Sequence, residues 1–336
     1  MTQPSPSKAP KIADVARVAG VSVPTVSRYL NGTTPVSDRL RERIAAAITQ
    51  LGYRPNSAAR ALALGRRSMI AILAGNSSRF GWARTIQGIE VSARQEGYAS
   101  IISVVDSASE ADVSEAVELV LAENLAGVIV LEFDEPGRAV LEALSSTLPT
   151  VAVSGGDPSD PSIPYALLDE RAAGRNLTEH LLSLGHETVH HVSQPTMGQS
   201  LGRTEGWRAA LEEAGAPVPP VLSCTWDPAT GYAAGQALAD QDDVTAVFCA
   251  NDDIAIAVMR AFSDNGIEVP HDIAVMGFDN QPLAQFWAPS LSTVHQDFDD
   301  LGARAFGLLS ALIGGSSQPQ NSIVVPEMII RESTEP

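Results

Sequence analysis

Only two cysteines, Cys224 and Cys249, occur in 336 residues, and they form no CxxC pair. That scarcity argues against a disulfide framework or a zinc–thiolate centre. Two ordinary buried thiols in a cytoplasmic chain are the expectation. Long apolar runs are missing too: none approaches the roughly 18 residues of a membrane-spanning helix. The opening MTQPSPSKAP lacks the apolar middle of a secretory leader. Neither a membrane partner nor export is therefore expected. Aromatic residues are sparse at 5% and charged residues stand at 18%, but hydrophobic residues reach 44%, enough for a core and without the signature of disorder. At about 150 residues per domain, this length corresponds to about two domains.

The net charge of −18 is unevenly spread. Residues 1–68 hold 11 of the 22 Lys and Arg but only three acids, Asp14, Asp38 and Glu42, a net +8 that leaves −26 on the rest. Such asymmetry implies a cationic module for a polyanion, attached to an acidic body that avoids one. Charge alone also admits a merely solvated basic surface.

Within the head, KIADVARVAGVSVPTVSRYLNG reads as two short helices joined by a tight turn. Ile12, Val15 and Ala16 fall at helical spacing, Gly20 ends the first helix where a left-handed residue is needed, and Ser22 can cap a second helix from Val23. Pro24 is tolerated in that first turn, where its missing N–H would have no intrahelical partner. A third stretch, SDRLRERIAAAITQLG, runs from a Ser37 cap to a Gly52 stop, with Leu40, Ile44, Ile48 and Leu51 as its apolar stripe. This is the plan of a small all-α helix-turn-helix domain. On the second helix Val23, Pro24, Ser27, Arg28 and Asn31 share the outward face, while Val26, Tyr29 and Leu30 turn inward. Arg28 can donate a bidentate pair to guanine in a major groove, and the apolar end can touch a thymine methyl. Ser22, Thr25 and Asn31 suit phosphates. Further on, Asn56 can cap a short helix ending at Gly65, one that needs a partner in order to form.

From Ser68 onward strands and helices alternate. SMIAILAG, ASIISVV, AGVIVLEF, PTVAVSG, TVHHVS, VLSCTW, TAVFCAN, DIAVMGFD and SIVVPEMII read as strands. TIQGIEVSARQEG, SEAVELVLAEN, NLTEHLLSLG, RTEGWRAALEEAG and DDIAIAVMRAFSDNG read as helices. Short β-branched strands alternating with amphipathic helices imply parallel sheets covered on both faces. The length favours two such α/β lobes with a cleft between them. The break is placed near residues 161–169 and a return crossing near 293–302.

IADVARVAGVSVPTVSRYLNG, the following VS…R…I…A…LGYRPN and the hinge ARALALG resemble the LacI/GalR family of bacterial transcriptional regulators, and the likeness covers nearly the whole chain. The resemblance implies a helix-turn-helix head on a two-lobed, periplasmic-binding-protein-like domain. It implies a homodimer that sets two heads on a pseudo-palindromic double-stranded DNA operator. It implies a repressor released by a small-molecule effector, a mono- or disaccharide; a corepressor of purine or phosphosugar type is the alternative. The DNA-contacting set is then Ser22, Val23, Pro24, Thr25, Ser27, Arg28 and Asn31 with Asn56 and Leu62 of the hinge, Leu62 matching the leucine that wedges into the minor groove. The effector set is Arg203 in LGRTEGW, Trp226 as a stacking ring in TWDPATGY, Asn251 and Asp252 in CANDDIA, Asp279 in VMGFDN, and Gln296 and Phe298 in TVHQDF. Each polar group follows an expected strand, where open α/β sheets hold ligands. Such groups beside an aromatic face suit the hydroxyls and C–H surface of a sugar. From the residues alone, Asp252 can equally cap the next helix and Phe298 can belong to the core.

Where some sugar-responsive members carry an Asp after the fourth strand, this chain reads Ser154-Gly155-Gly156, and Phe80 and Trp82 of GNSSRFGW are the candidates to replace that contact by stacking. The implied organisation is a disordered tail at 1–10, the helix-turn-helix at 11–55, a hinge helix and linker at 56–67, and an effector-binding and dimerisation domain at 68–336. Its first lobe takes 68–163 and 297–321, its second 164–296 and 322–334. No cofactor is expected, and the end of the chain shows no heptad tail for a coiled-coil tetramer.

Two other patterns carry less weight. Gly198-Gln199-Ser200-Leu201-Gly202 matches GxSxG, with Asp279 and His295 following in the order of an α/β-hydrolase. That elbow needs its serine at a strand tip, but Pro195 separates Ser200 from TVHHVS, so an enzyme is not expected. His186, His190 and His191 suggest a metal, yet the adjacent pair would face opposite sides of a strand, with one of them buried and no other ligand at suitable spacing.

Overall fold

Three helices, α1 (Ile12–Ala19), α2 (Val23–Asn31) and α3 (Asp38–Leu51), share one small core in the head. The computed structural model describes residues 10–31, 36–53, 67–144, 148–156, 158–194, 202–317 and 319–335, and contacts divide the chain into the units Met1–Ser68 and Met69–Pro336. Val15, Ala16, Ala19, Val26, Ile44 and Ala47 are buried at the centre of the head. Gly20 closes α1 in the left-handed region at φ 62°, the role read for it, and Gly52 closes α3 in the same way at φ 59°. Ser37 holds the N-cap position of α3, although its hydroxyl makes no capping bond.

The second unit begins with a six-stranded parallel sheet. Its strands β1 (Met69–Ala74), β2 (Ala99–Val104), β3 (Gly127–Glu132), β4 (Thr150–Ser154), β5 (Tyr165–Leu168) and β11 (Ser322–Val324) lie in the order β11-β5-β4-β3-β1-β2. Helices α4 (Phe80–Gln95) and α11 (Phe298–Ile313) cover one face, and α5 (Glu110–Leu121) and α6 (Glu135–Ala143) the other. The second sheet orders β6 (His190–Ser193), β7 (Leu222–Ser223), β8 (Ala246–Cys249) and β9 (Ala274–Met276) as β7-β6-β8-β9. Here α7 (Glu170–Ser183) and α8 (Gly202–Ala214) pack on one face, α9 (Pro228–Ala239) and α10 (Asp252–Asp264) on the other. Every residue of the central strands β3 and β8 is buried, which is why they read as continuous apolar runs. An antiparallel ribbon of β10 (Thr293–His295) and β12 (Glu327–Ile329) completes the second lobe.

The lobe boundaries differ from the expectation. Residues 164–168, assigned to the second lobe, hold β5, which pairs with β4 through Ala152 and Tyr165 in the first sheet. YALL is too short an apolar run to stand out beside Pro164. SIVVPEMII is two strands: Pro326, with no N–H to offer a ladder, separates β11 in the first sheet from β12 in the second lobe. VLSCTW keeps only Leu222–Ser223 as strand. The chain thus crosses between lobes three times, near 169, near 297 and near 326.

Helices approach closely where glycines meet. A Cβ on Gly206 of α8 would lie 2.1 Å from the Arg171 carbonyl oxygen of α7, and one on Gly174 of α7 would lie 2.5 Å from that of Arg203. This crossing sets the depth of Arg203. Gly206→Ala should therefore cost about 1–3 kcal/mol of stability by overpacking. Urea denaturation measures it, and an unchanged midpoint would show that the crossing is not tight.

Candidate functional sites: the second helix of the head and the polar cleft of the body

On α2, Val23, Pro24 and Arg28 are exposed, Thr25 and Ser27 half-buried, and Val26 fully buried. Ser22 acts as the N-cap read for it: its Oγ accepts the Thr25 N–H at 3.4 Å and lies 2.8 Å from Thr25 Oγ1. The Arg28 guanidinium donates to Thr25 Oγ1 at 3.4 Å. An apolar end followed one turn later by a cation therefore faces outward. The side chain of Asn31, and all of Asn56 and Leu62, lie outside the described residues. Arg43 of α3, counted in the sequence only as charge, donates to the carbonyls of Ala19 at 2.6 Å and Gly20 at 3.3 Å, bracing the turn between α1 and α2.

In the body, Arg203 opens α8 and is 5% exposed. Its Nε and Nη2 donate to the two Glu170 carboxylate oxygens at 2.9 and 2.5 Å, and its Nη1 to the Ala250 carbonyl. Asp279 lies 3.5 Å from Nη2, and the guanidinium covers Phe278 with its carbon 4.2 Å from the ring centre. Gln296 donates to Asp279 Oδ1 at 2.8 Å, leaving its own Oε1 buried without a partner among the described residues. Asp252 accepts from the Thr293 hydroxyl and the Gln281 N–H, each at 2.6 Å. The cap of α10 is Asn251, whose Oδ1 accepts the Ile254 N–H at 2.8 Å, so the capping alternative weighed for Asp252 belongs to the preceding residue.

The electrostatics follow from burial. Burial raises the Asp252 carboxyl to about 7, with Asp279 adding to the shift. Burial raises Asp279 to about 6 against the pull of Arg203. Burial disfavours the charge of Arg203, but Glu170 and Asp279 outweigh it and raise its pKa.

The aromatic residues form two edge-to-face groups. Phe80 meets Phe298 edge to face at 5.9 Å; Trp82 meets Phe133 at 5.3 Å and Trp226 at 5.7 Å. Trp82 and Phe298 are buried in the first-lobe core, and Trp226, from the loop before α9, packs against that cluster from the second lobe. Arg79 lays its guanidinium 4.0 Å over the Trp226 ring. The hydroxyl of Ser154 turns to the Gly156 carbonyl at 3.0 Å, and a Cβ on Gly155 would lie 2.7 Å from the Glu170 carboxyl. The Glu170 carboxyl of α7 thus lies against that turn. The sequence reading missed Glu170, Arg79 and Phe133; the one local signal was the pair of acids after a strand end, in YALLDE, of which Asp169 caps α7 and Glu170 follows.

The other patterns resolve differently. Both His190 and His191 are buried, not one. His191 stacks on Phe248 at 4.5 Å and bonds to Thr204 Oγ1 at 2.9 Å, and burial lowers it to about 4. Among the described residues, no group of three or more His, Cys, Asp or Glu is placed to hold a metal. Ser200 lies outside the described residues; Asp279 engages Gln296 and Arg203, while the His295 ring meets Asn280 at 3.3 Å, so the Asp–His half of a hydrolase relay is not formed.

Residues 11–56 match the bacterial regulatory proteins of the lacI family, and residues 178–334 match the periplasmic binding protein-like domain. The HTH-type transcriptional regulator DegA of Bacillus subtilis (strain 168) is 31% identical over 97% of this chain and 98% of its own. The chain belongs to the LacI family. The HTH-type transcriptional repressor PurR of Escherichia coli O139:H28 is 33% identical over 96% of each chain. Among solved structures, the Lac repressor dimer bound to operator and the anti-inducer ONPF matches with a TM-score of 0.87 at 29% identity, over 97% of this chain and 99% of that one. The CelR–cellobiose complex matches at 0.70 and 27%, over 96% and 99%. This LacI-family chain is a DNA-binding transcriptional regulator, and these relatives carry the names of regulators, not enzymes. Among its described residues no helix is long and apolar enough to cross a membrane.

Two outcomes are expected of the buried network. Arg203→Ala leaves Glu170 and Asp279 buried without their cation and should cost about 3–5 kcal/mol in urea denaturation; an unaltered midpoint would mean the network is dispensable. Asp252 and Asp279 titrate above their ordinary value of 3.8. Their stabilising contribution is complete below pH 3.8 and is lost as pH rises to about 7. His191 runs the other way: its contribution is complete above pH 6.5 and is lost as pH falls to about 4. Because two carboxyls outweigh one imidazole, stability should thus decline from about pH 4 to about pH 7, and decline less in Asp252→Asn. Parallel slopes would place the titration elsewhere.

Proposed function

We propose that this chain is a homodimeric repressor that holds a pseudo-palindromic operator through its two heads and releases it when a mono- or disaccharide enters the cleft. The observation that carries this reading is the buried Arg203 network, in which carboxylates and an amide converge on one cation over the Phe278 ring. Hydroxyls both donate and accept, and such a mixed wall next to aromatic faces suits them. The Lac repressor dimer solved on operator and the CelR complex with cellobiose support the assembly and the ligand class.

In this proposal Ser22, Val23, Pro24, Thr25, Ser27, Arg28 and Asn31 meet the duplex, with Asn56 and Leu62 added from the hinge. Arg203, Asn251, Asp252, Asp279, Gln296 and Trp226 receive the effector from one lobe, and Phe80, Trp82 and Phe298 border it from the other. Asn251 and Asp252 act mainly by shaping the wall, since the former caps α10 and the latter holds Thr293. A ligand that touches both lobes releases DNA only if it binds one arrangement of the lobes better than the other; a few kcal/mol is enough. The −26 on residues 69–336 keeps phosphates away from the body.

The test is a thermal-shift panel of mono- and disaccharides followed by operator mobility shifts. A carbohydrate that raises the melting temperature and frees the DNA is expected. Tighter DNA binding with a purine or phosphosugar would establish the corepressor alternative instead, and silence across all carbohydrates would overturn the sugar reading. For the head, Arg28→Ala should weaken operator binding by about 1–3 kcal/mol and relax base preference at one position. Anisotropy titration measures this, and an unaffected preference would remove Arg28 from the reading set.

A further inference from the structure

Donors without acceptors gather at one end of the cleft. Arg79, the residue before α4, places its guanidinium 4.0 Å from the centre of the Trp226 ring and 5.7 Å from that of Trp82. Among the described residues it has no ion pair; Asp134, an acid that acts on it electrostatically, caps α6 by accepting the Gly137 N–H at 3.0 Å. Beside it, Trp82 is 6% exposed and its indole N–H is buried with no acceptor among the described residues. An indole nitrogen can only donate. Neither group serves the Arg203 network.

Acceptors prevail at the other end. Asp279 and Glu170 face Arg203, and Gln296 Oε1 is buried with no partner among the described residues. Phe298 links the two ends in sequence: two residues after Gln296, it meets Phe80, the residue after Arg79, edge to face, and a Cβ on Gly81 would lie 3.0 Å from the same ring. One ligand lying along Phe80 and Phe298 would meet hydroxyl-seeking carboxylates at one end and anion-seeking donors at the other.

We infer that Arg79 is a specificity-determining residue of this cleft, which with the Trp82 indole N–H receives an anionic substituent, a carboxylate or a phosphate, on a polyhydroxylated effector. The inference rests on the sugar reading proposed above and narrows it to acidic sugars. Stacking on Trp226 holds the plane of the guanidinium and leaves the N–H edges available. That planar fork matches the two oxygens of a carboxylate or phosphate, and such charge-assisted pairs are the strong ones. The carboxylates around Arg203 repel an anion, so the charged group is oriented towards Arg79 and the hydroxyls towards Asp279 and Gln296.

The experiment uses the full chain and matched sets of gluco-, galacto- and manno-configured sugars, each as the neutral hexose, the uronate and the 6-phosphate, with calorimetric affinities. In the responsive configuration, an anionic member should bind about 10- to 100-fold more tightly than its neutral counterpart. The uronate and phosphate arms show which anion is read. Arg79→Gln should reduce that anionic-to-neutral ratio at least about tenfold, and Trp82→Phe, which keeps the ring but loses the N–H, should reduce it part of the way. Should Arg79→Gln fail to fold, Arg79→Lys keeps the charge and removes the fork, and should lower the ratio. A neutral sugar that binds as tightly as its acids, or a ratio unmoved by these variants, overturns the inference and leaves the sugar reading standing. The absence of binding by every member, charged or not, also overturns the inference, while the wider mono- and disaccharide panel above decides the sugar reading.

Discussion

A guanidinium buried to 5% exposure cannot stay charged without carboxylates, and the arrangement of the cleft follows from meeting that need for Arg203. Glu170 takes two of its donors, and it stands directly after the first crossing between lobes. Asp279 approaches from the end of β9 in a left-handed conformation, φ 100°, which few residues other than glycine adopt. Gln296 then holds Asp279 immediately before the second crossing. One cation thereby ties together two of the places where the chain passes between lobes. Because Gly174 and Gly206 let α7 and α8 approach closely, that cation sits deep enough for the network to close over it.

Within this frame the cleft has a polarity. The second-lobe wall is rich in acceptors with raised pKa values, and the first-lobe rim supplies aromatic faces and the donors of Arg79 and Trp82. Trp226 reaches from the second lobe into the aromatic cluster of the first, so lobe position and ring environment are coupled in one contact. A ligand entering here would alter both together. The head is independent in its own core, held by Arg43 across its turn and by a small apolar centre.

What local rules govern was legible in the sequence. The head's helix ends at Gly20 and Gly52, the Ser22 cap, the inward Val26 and the strands β1 to β4 all depend on neighbours a few residues away. The strand-end positions of Asp279 and Gln296 were legible for the same reason. What escaped depends on distant partners. Strand β5 exists because β4 and β11 flank it, and four residues carry too little pattern to announce that. Glu170 is 33 positions from Arg203, and nothing in either segment pairs them. Arg79 gave no signal of its own, because its stacking surface, Trp226, lies far along the chain. Asp252 was a reasonable helix cap; only the structure shows that Asn251 caps instead and that Asp252 is engaged by Thr293 and Gln281.

The proposal that the planar fork of Arg203 organises an effector site is tested most directly by Arg203→Lys, which keeps the buried charge and removes the fork. The measurement is the fraction of full-length chain bound to operator as a carbohydrate that releases the parent is titrated in. The account predicts that the release curve of the variant moves to at least about tenfold higher ligand concentration, because a point charge cannot hold Glu170 and Asp279 in place together. A curve that superposes on that of the parent would contradict it.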